Sequence, residues 1–471
     1  MGDFQDIQQR ETGLKQHLTS AQMVMIAIGG AVGTGLFMGS AFAIGFAGPA
    51  VLVSYAIGAF IALLLIGALG EMTVAHPTSG SFGAYAEYYL GPLAGFVVRY
   101  AYWAALVLAV GMEVTAVGIY MAYWFPAVPQ WIWVAVFSAV LIGINLRSVK
   151  VYGVAEYAFS AIKVAATVAF VLIGAYVVFG AHIPGIGLQN YAVGGGFWAK
   201  GISGMWLGVI VAMFSYLGVE AIAVAAGEAQ HPQKAVQSAM KTTVLRLVLF
   251  YLLTVALMLA IVPWTEAATQ TSPFVRVMEI INIPYAAGVL NFVVLVAALS
   301  AMNSQLYATS RMMFSLGRAR QAPAVFGKAN QRGVPVAAIL ISSLGAGVAM
   351  FINAFWPDQS FIWMMSIAMF GAMFAWFMVF VTHLAFRRRR DREGVVSAFR
   401  MWGFPWLTLL GAILMGAVLI TTAFTPQFRL TLAFGLPWLV LLSVIFFRAG
   451  GPARKSATQP APLRPAAAGA D

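Results

Sequence analysis

Three ionisable residues stand where such residues are costly. Glu113, Lys163 and Glu220 each lie within apolar runs long enough to cross a bilayer. A charge at the centre of a membrane helix costs about 3 kcal/mol on insertion scales, so groups of this kind mark substrate or proton pathways. Lys163 lies about ten residues into its run, about 15 Å deep at 1.5 Å per residue, where an amine can gain and lose a proton. Glu113 lies at a similar depth, about ten residues from the far end of its own run, and is its expected partner. The pair reads either as a proton-linked couple or as a permanent structural ion pair. Glu220 has two readings as well, orienting backbone or joining the proton path, and the orienting role is the preferred one.

Backbone groups supply the second chemistry. Gly29, Gly30, Gly33 and Gly35 crowd into seven residues of an apolar run, and each costs about 1 kcal/mol against alanine in a helix. A helix interrupted there frees N–H and C=O groups, which membrane proteins tolerate only where they line a cavity or a ligand. A second interruption is expected at Phe214-Ser215-Tyr216-Leu217-Gly218-Val219-Glu220. Close helix packing through small residues is the alternative for either cluster alone. Ser300, Asn303 and Ser304 recur on one helical face, turned to a cavity or to hydrogen bonds with a neighbouring helix.

Other chemistry finds no footing. The chain has no cysteine, its five histidines are scattered without metal-ligand spacing, and no phosphate-cradling G-x-x-x-x-G-K-S/T loop occurs. No metal, cofactor or enzymatic constellation is expected, and a proton is the expected coupling ion.

These residues need a membrane scaffold. With 61% hydrophobic and 9% charged residues among 471, the chain reads as an all-α polytopic membrane protein. Twelve spans are expected at 21–47, 49–75, 94–124, 130–147, 153–180, 203–229, 241–263, 286–317, 335–353, 361–386, 404–424 and 428–447. With both termini cytoplasmic, 20 of the 27 Lys and Arg residues fall on the inner side, three on the outer and four within spans, as the positive-inside rule requires. The run Arg387 to Arg390 then reads as a cytoplasmic stop, which also argues against nucleic acid as the target of the +12 net charge. The first and sixth spans are five apart, which points to inverted repeats over 21–180 and 203–386. A cytoplasmic segment (1–20), two added helices (404–447) and a disordered tail (449–471) complete the plan.

The chain resembles the amino acid-polyamine-organocation superfamily, and within it the amino acid transporter family of bacterial permeases. The likeness rests on Gly29 to Phe37, on Pro77-Thr78-Ser79-Gly80-Ser81-Phe82 with Tyr85, and on Glu113-Val114-Thr115-Ala116. It continues through Phe214 to Glu220, Ala226-Gly227-Glu228 with Pro232 and Lys234, and Leu299 to Ser304 with Ser310-Arg311. It implies a leucine-transporter-like five-plus-five inverted repeat with spans 1 and 6 unwound, and alternating-access uptake of amino acids.

An amino acid zwitterion needs partners for both charges. Freed N–H groups at Gly33, Thr34 and Gly35 suit the carboxylate, with the Thr34 hydroxyl as an added donor. Carbonyls of Ala31, Phe214 and Leu217 suit the ammonium, and Ser215 lies in the same interruption. The resemblance implies that Phe214 is the aromatic gate over the substrate and that Lys163 stands where sodium-driven relatives hold a cation. A proton symporter for neutral amino acids is the leading reading; sodium symport or exchange is the alternative, with a nutrient sensor or intramembrane enzyme behind. The lipid bilayer and the amino acid are the expected partners, and oligomeric state is not readable.

Overall fold

A computed structural model describes residues 4–11, 33–78, 80–147, 149–220, 247–269, 272–395 and 397–449. Ala31, Ser79, Glu228, Pro232, Lys234 and the tail from residue 450 lie outside them. Among the described residues the elements are helical. They run α1 (Phe4–Glu11), α2 (Thr34–Phe37), α3 (Gly39–Ala47), α4 (Val51–Ala75), α5 (Ser81–Tyr89) and α6 (Pro92–Met121). There follow α7 (Gln130–Arg147), α8 (Val149–Phe179), α9 (Gly201–Ser215), a π-helical stretch at Leu247–Leu253, α10 (Thr254–Ile261), α11 (Trp264–Ala267) and α12 (Pro273–Ile281). The last are α13 (Ala286–Arg318), α14 (Val336–Ser342), α15 (Leu344–Phe355), α16 (Pro357–Arg392), α17 (Trp406–Phe424) and α18 (Arg429–Arg448).

Nine helical stretches among the described residues are long and apolar enough to cross a bilayer. The first, Thr34–Ala75, has 42 residues, about 63 Å of straight helix and twice a bilayer core. It is divided at Gly48, whose φ of +63° leads into a short 3-10 turn. Proline opens α6, α12 and α16, at positions whose N–H would have had no helical partner.

α6 is the hub. It packs against α13, α15 and α16, and glycines set how close these helices come. A Cβ on Gly345 of α15 would overlap the Val107 carbonyl, and one on Gly371 of α16 would overlap that of Ala101. The helices therefore touch backbone to backbone, the small-residue packing that replaces hydrophobic drive inside a membrane. α17 and α18 leave most of their apolar surface uncovered, as lipid-facing helices do.

Candidate functional site

The first glycine cluster ends where α2 begins. Gly33 is extended (φ −131°, ψ −157°), and the Thr34 N–H, an orphan donor of the helix start, points to Glu113 Oε2 at 3.4 Å. Glu113 is buried on α6. Space there is tight: a Cβ on Gly33 would lie 2.9 Å from Ala301 Cβ and 3.0 Å from Glu113 Oε1, and one on Gly35 would lie 2.8 Å from Ser215 Cα. Glycine is required because three elements converge on this backbone.

α9 stops at that same point. Ser215, its last residue, donates its hydroxyl to Gly35 O at 2.6 Å and takes the Tyr55 hydroxyl at 3.3 Å, while Tyr251 OH donates to the Ser215 carbonyl at 2.8 Å. Beyond it the chain turns. Leu217 N–H reaches back to Phe214 O at 3.1 Å, and Gly218 takes φ +98°, a left-handed conformation that favours glycine. Glu220 Oε2 accepts the Gly218 N–H at 2.9 Å, and Oε1 accepts the Tyr102 hydroxyl. Glu220 thus fixes the turn after Ser215. Phe214 is buried beside it and Leu217 is half-buried.

Lys163 sits near the middle of α8, fully buried. Its ammonium donates to Ser300 Oγ on α13 at 2.7 Å, and the Ser300 hydroxyl donates in turn to Glu156 Oε1. Asn303 Nδ2 donates to Glu156 Oε2 at 3.1 Å, and Asn145 Nδ2 on α7 donates to Asn303 Oδ1 at 2.8 Å. Ser300 and Asn303 are therefore engaged with α8 and α7, and Ser304 lies one residue further along α13. Glu156 is absent from the expected site residues. Its distance of seven residues from Lys163, two helical turns on one face, was the available signal.

The amino acid permease family model matches residues 22–450. The chain belongs to the amino acid permease family. It is 37% identical over 448 residues to an uncharacterized amino acid permease, YtnA, of Bacillus subtilis (strain 168), covering 94% of this chain and 97% of the relative. It is 38% identical over 458 residues to the gamma-aminobutyric acid permease of the same organism, covering 96% and 97%. The aromatic amino acid transport protein AroP of Escherichia coli (strain K12) is 38% identical over 441 residues, covering 93% and 96%. The protein is thus a multi-pass membrane transporter of amino acids and not an enzyme.

Two further clusters of this permease lie near the helix ends. Glu71 on α4 accepts from Arg387 at 2.7 Å and from the Met401 N–H at 2.9 Å, and lies 3.0 Å from His383 Nε2. Arg387, read in the sequence as one of the four arginines of a cytoplasmic stop, turns inward to a buried carboxylate. α1 docks by Phe4 and Ile7, both buried, with the Phe4 ring 4.3 Å from that of His76. Burial, aided by the nearby Arg390 and Arg389 charges, lowers the His76 pKa to about 4, so the imidazole bonded to Tyr89 OH at 2.5 Å is neutral at pH 7.

Proposed function

We propose that this permease takes up neutral amino acids together with protons by alternating access. In this reading twelve spans form two inverted five-helix repeats plus two helices, both termini are cytoplasmic, and spans 1 and 6 are unwound where Gly35 meets Ser215. The observation that carries the reading is Glu113, whose carboxylate takes the Thr34 N–H expected to bind the substrate carboxylate. Two carboxylates at one donor repel. Substrate binding is then linked to a proton on Glu113, because the neutral acid no longer competes for the N–H. The relatives, a gamma-aminobutyric acid permease and an aromatic amino acid transport protein, support a zwitterion without side-chain charge. Phe214 closes over it, the carbonyls of Ala31, Phe214 and Leu217 receive its ammonium, and Lys163 stands where sodium-driven relatives hold a cation. Glu220 shapes the second interruption.

Purified protein in liposomes, screened with the twenty amino acids and γ-aminobutyrate, tests this. The reading expects accumulation driven by an imposed pH gradient without sodium and abolished by a protonophore. Accumulation that follows a sodium gradient, or uptake that occurs only against internal amino acid, would replace it with symport or exchange of another kind.

A further inference from the structure

We propose that Glu156, on the cytoplasmic side of Lys163, receives the proton of Lys163 through the Ser300 hydroxyl. The inference rests on the proton-coupled reading above and extends it to a residue outside the substrate site. Three features carry it. The hydrogen bonds form an unbroken line of one polarity, with Lys163 Nζ–H donating to Ser300 Oγ and the Ser300 O–H donating to Glu156 Oε1. A shift along that line breaks one Nζ–H bond and forms one Oγ–H bond, then breaks the original Oγ–H and forms Oε1–H. Amine and carboxylic acid remain, with no net charge moved outside the pair.

The second feature is position. Glu156 lies two turns from Lys163, about 10 Å along α8, toward the helix start that the positive-inside distribution places in the cytoplasm. Tyr152, one turn further, stacks on Tyr307 of α13 with centroids 4.0 Å apart, and the Arg311 guanidinium lies 3.0 Å over the Tyr307 ring. The third is bracing. Asn303, held by Asn145, fixes Glu156 Oε2, and Ser160 Oγ lies 3.3 Å from Oε1, so the carboxylate keeps its aim at Ser300. The titratable and charged groups that face the pair are Tyr152 on α8 beside Glu156, Tyr307 and Arg311 on α13 beyond Tyr152, and Glu113 on α6, which faces Lys163. α7 adds only Arg147, exposed at its end, and α10 contributes none.

The test uses the full-length protein in liposomes, with radiolabelled phenylalanine or whichever amino acid the uptake panel selects. Two assays are compared: accumulation under a pH gradient, and counterflow at equal pH. Removing a positioned proton carrier costs about 100-fold or more in proton transfer. Glu156→Gln is expected to lose pH-driven accumulation at least about tenfold while counterflow falls no more than about threefold. Ser300→Ala keeps both ionisable groups, breaks only the bridge and is expected to show the same split, which decides the matter if Glu156→Gln is not monodisperse. Accumulation by both variants equal to that of the unaltered protein overturns the proposal, as does an equal loss in both assays, which is the mark of a structural acceptor. If the unaltered protein shows no pH-driven accumulation, the underlying reading falls with it; if only the variants behave as the unaltered protein does, this proposal falls alone.

Discussion

The start of α2 and the end of α9 meet at Gly35 and Ser215, yet each obtains its carboxylate differently. Thr34 N–H is served by Glu113 from α6, some eighty positions away in sequence, at a long 3.4 Å. Gly218 N–H is served by Glu220 from its own turn at 2.9 Å, and the Tyr102 hydroxyl holds the other oxygen. In the proposed reading, an acceptor brought from another helix to a long 3.4 Å contact is one that a ligand can replace. One built into the turn and held at both oxygens is architecture. Removing the first is expected to alter chemistry, and removing the second to alter shape.

The harshest way to break the comparison is to part the two segments. Gly35→Val places a Cβ against the Ser215 backbone, an overlap of the kind that costs about 1–3 kcal/mol even in a soluble core. Here it also displaces both helix ends, so uptake is expected to fall at least about 100-fold with the protein still inserted, as measured by liposome uptake against surface-normalised protein. Glu113→Gln should separate coupling from binding. Accumulation under a pH gradient is expected to drop about tenfold or more, equivalent to about 1.4 kcal/mol, while counterflow persists and loses its pH dependence. Glu220→Ala should act as a shape change. It leaves the Gly218 N–H and Tyr102 hydroxyl unmet at about 1–3 kcal/mol each, so the melting temperature and uptake fall together and the form of the pH profile is kept.

His76 gives the smallest effect and lies apart from both segments. Its pKa is about 4 in the folded protein against an ordinary 6.5, so the unfolded chain binds the extra proton first. The stability it contributes is present above pH 6.5 and is lost as pH falls through that value toward 4. A melting series from pH 7.5 to 4 is expected to slope downward over that window, and His76→Gln to flatten the slope without moving the pH dependence of uptake.

Much of this scaffold could be read from residue types. Apolar runs placed the helices well: 130–147 coincides with α7, and 94–124 lies within three residues of α6 at each end. The glycine cluster and the Phe214–Glu220 string pointed to the segments that meet. Glu156 is hard to read because it lies three residues from the expected start of the fifth span at 153, where acids are ordinary. α8 in fact starts at Val149, and four residues of error hid a buried carboxylate. The ion pair of Arg387 is not legible because its three neighbouring arginines give the whole run the look of a cytoplasmic stop. Only tertiary packing brings Glu71 to it. The polar first twenty residues gave no reason to expect Phe4 and Ile7 to be covered, because that depends on the aromatic surface of His76, Tyr85 and Tyr88.

The glycines that press α15 and α16 onto α6 have a mechanical consequence. With the Val107 and Ala101 carbonyls already against those partners, rolling α6 about its axis would drive peptide into peptide. In the proposed alternating-access cycle α6 is the fixed part of the machine and carries Glu113. Movement then falls to the chain that starts at Gly33 and ends at Ser215 rather than to α6.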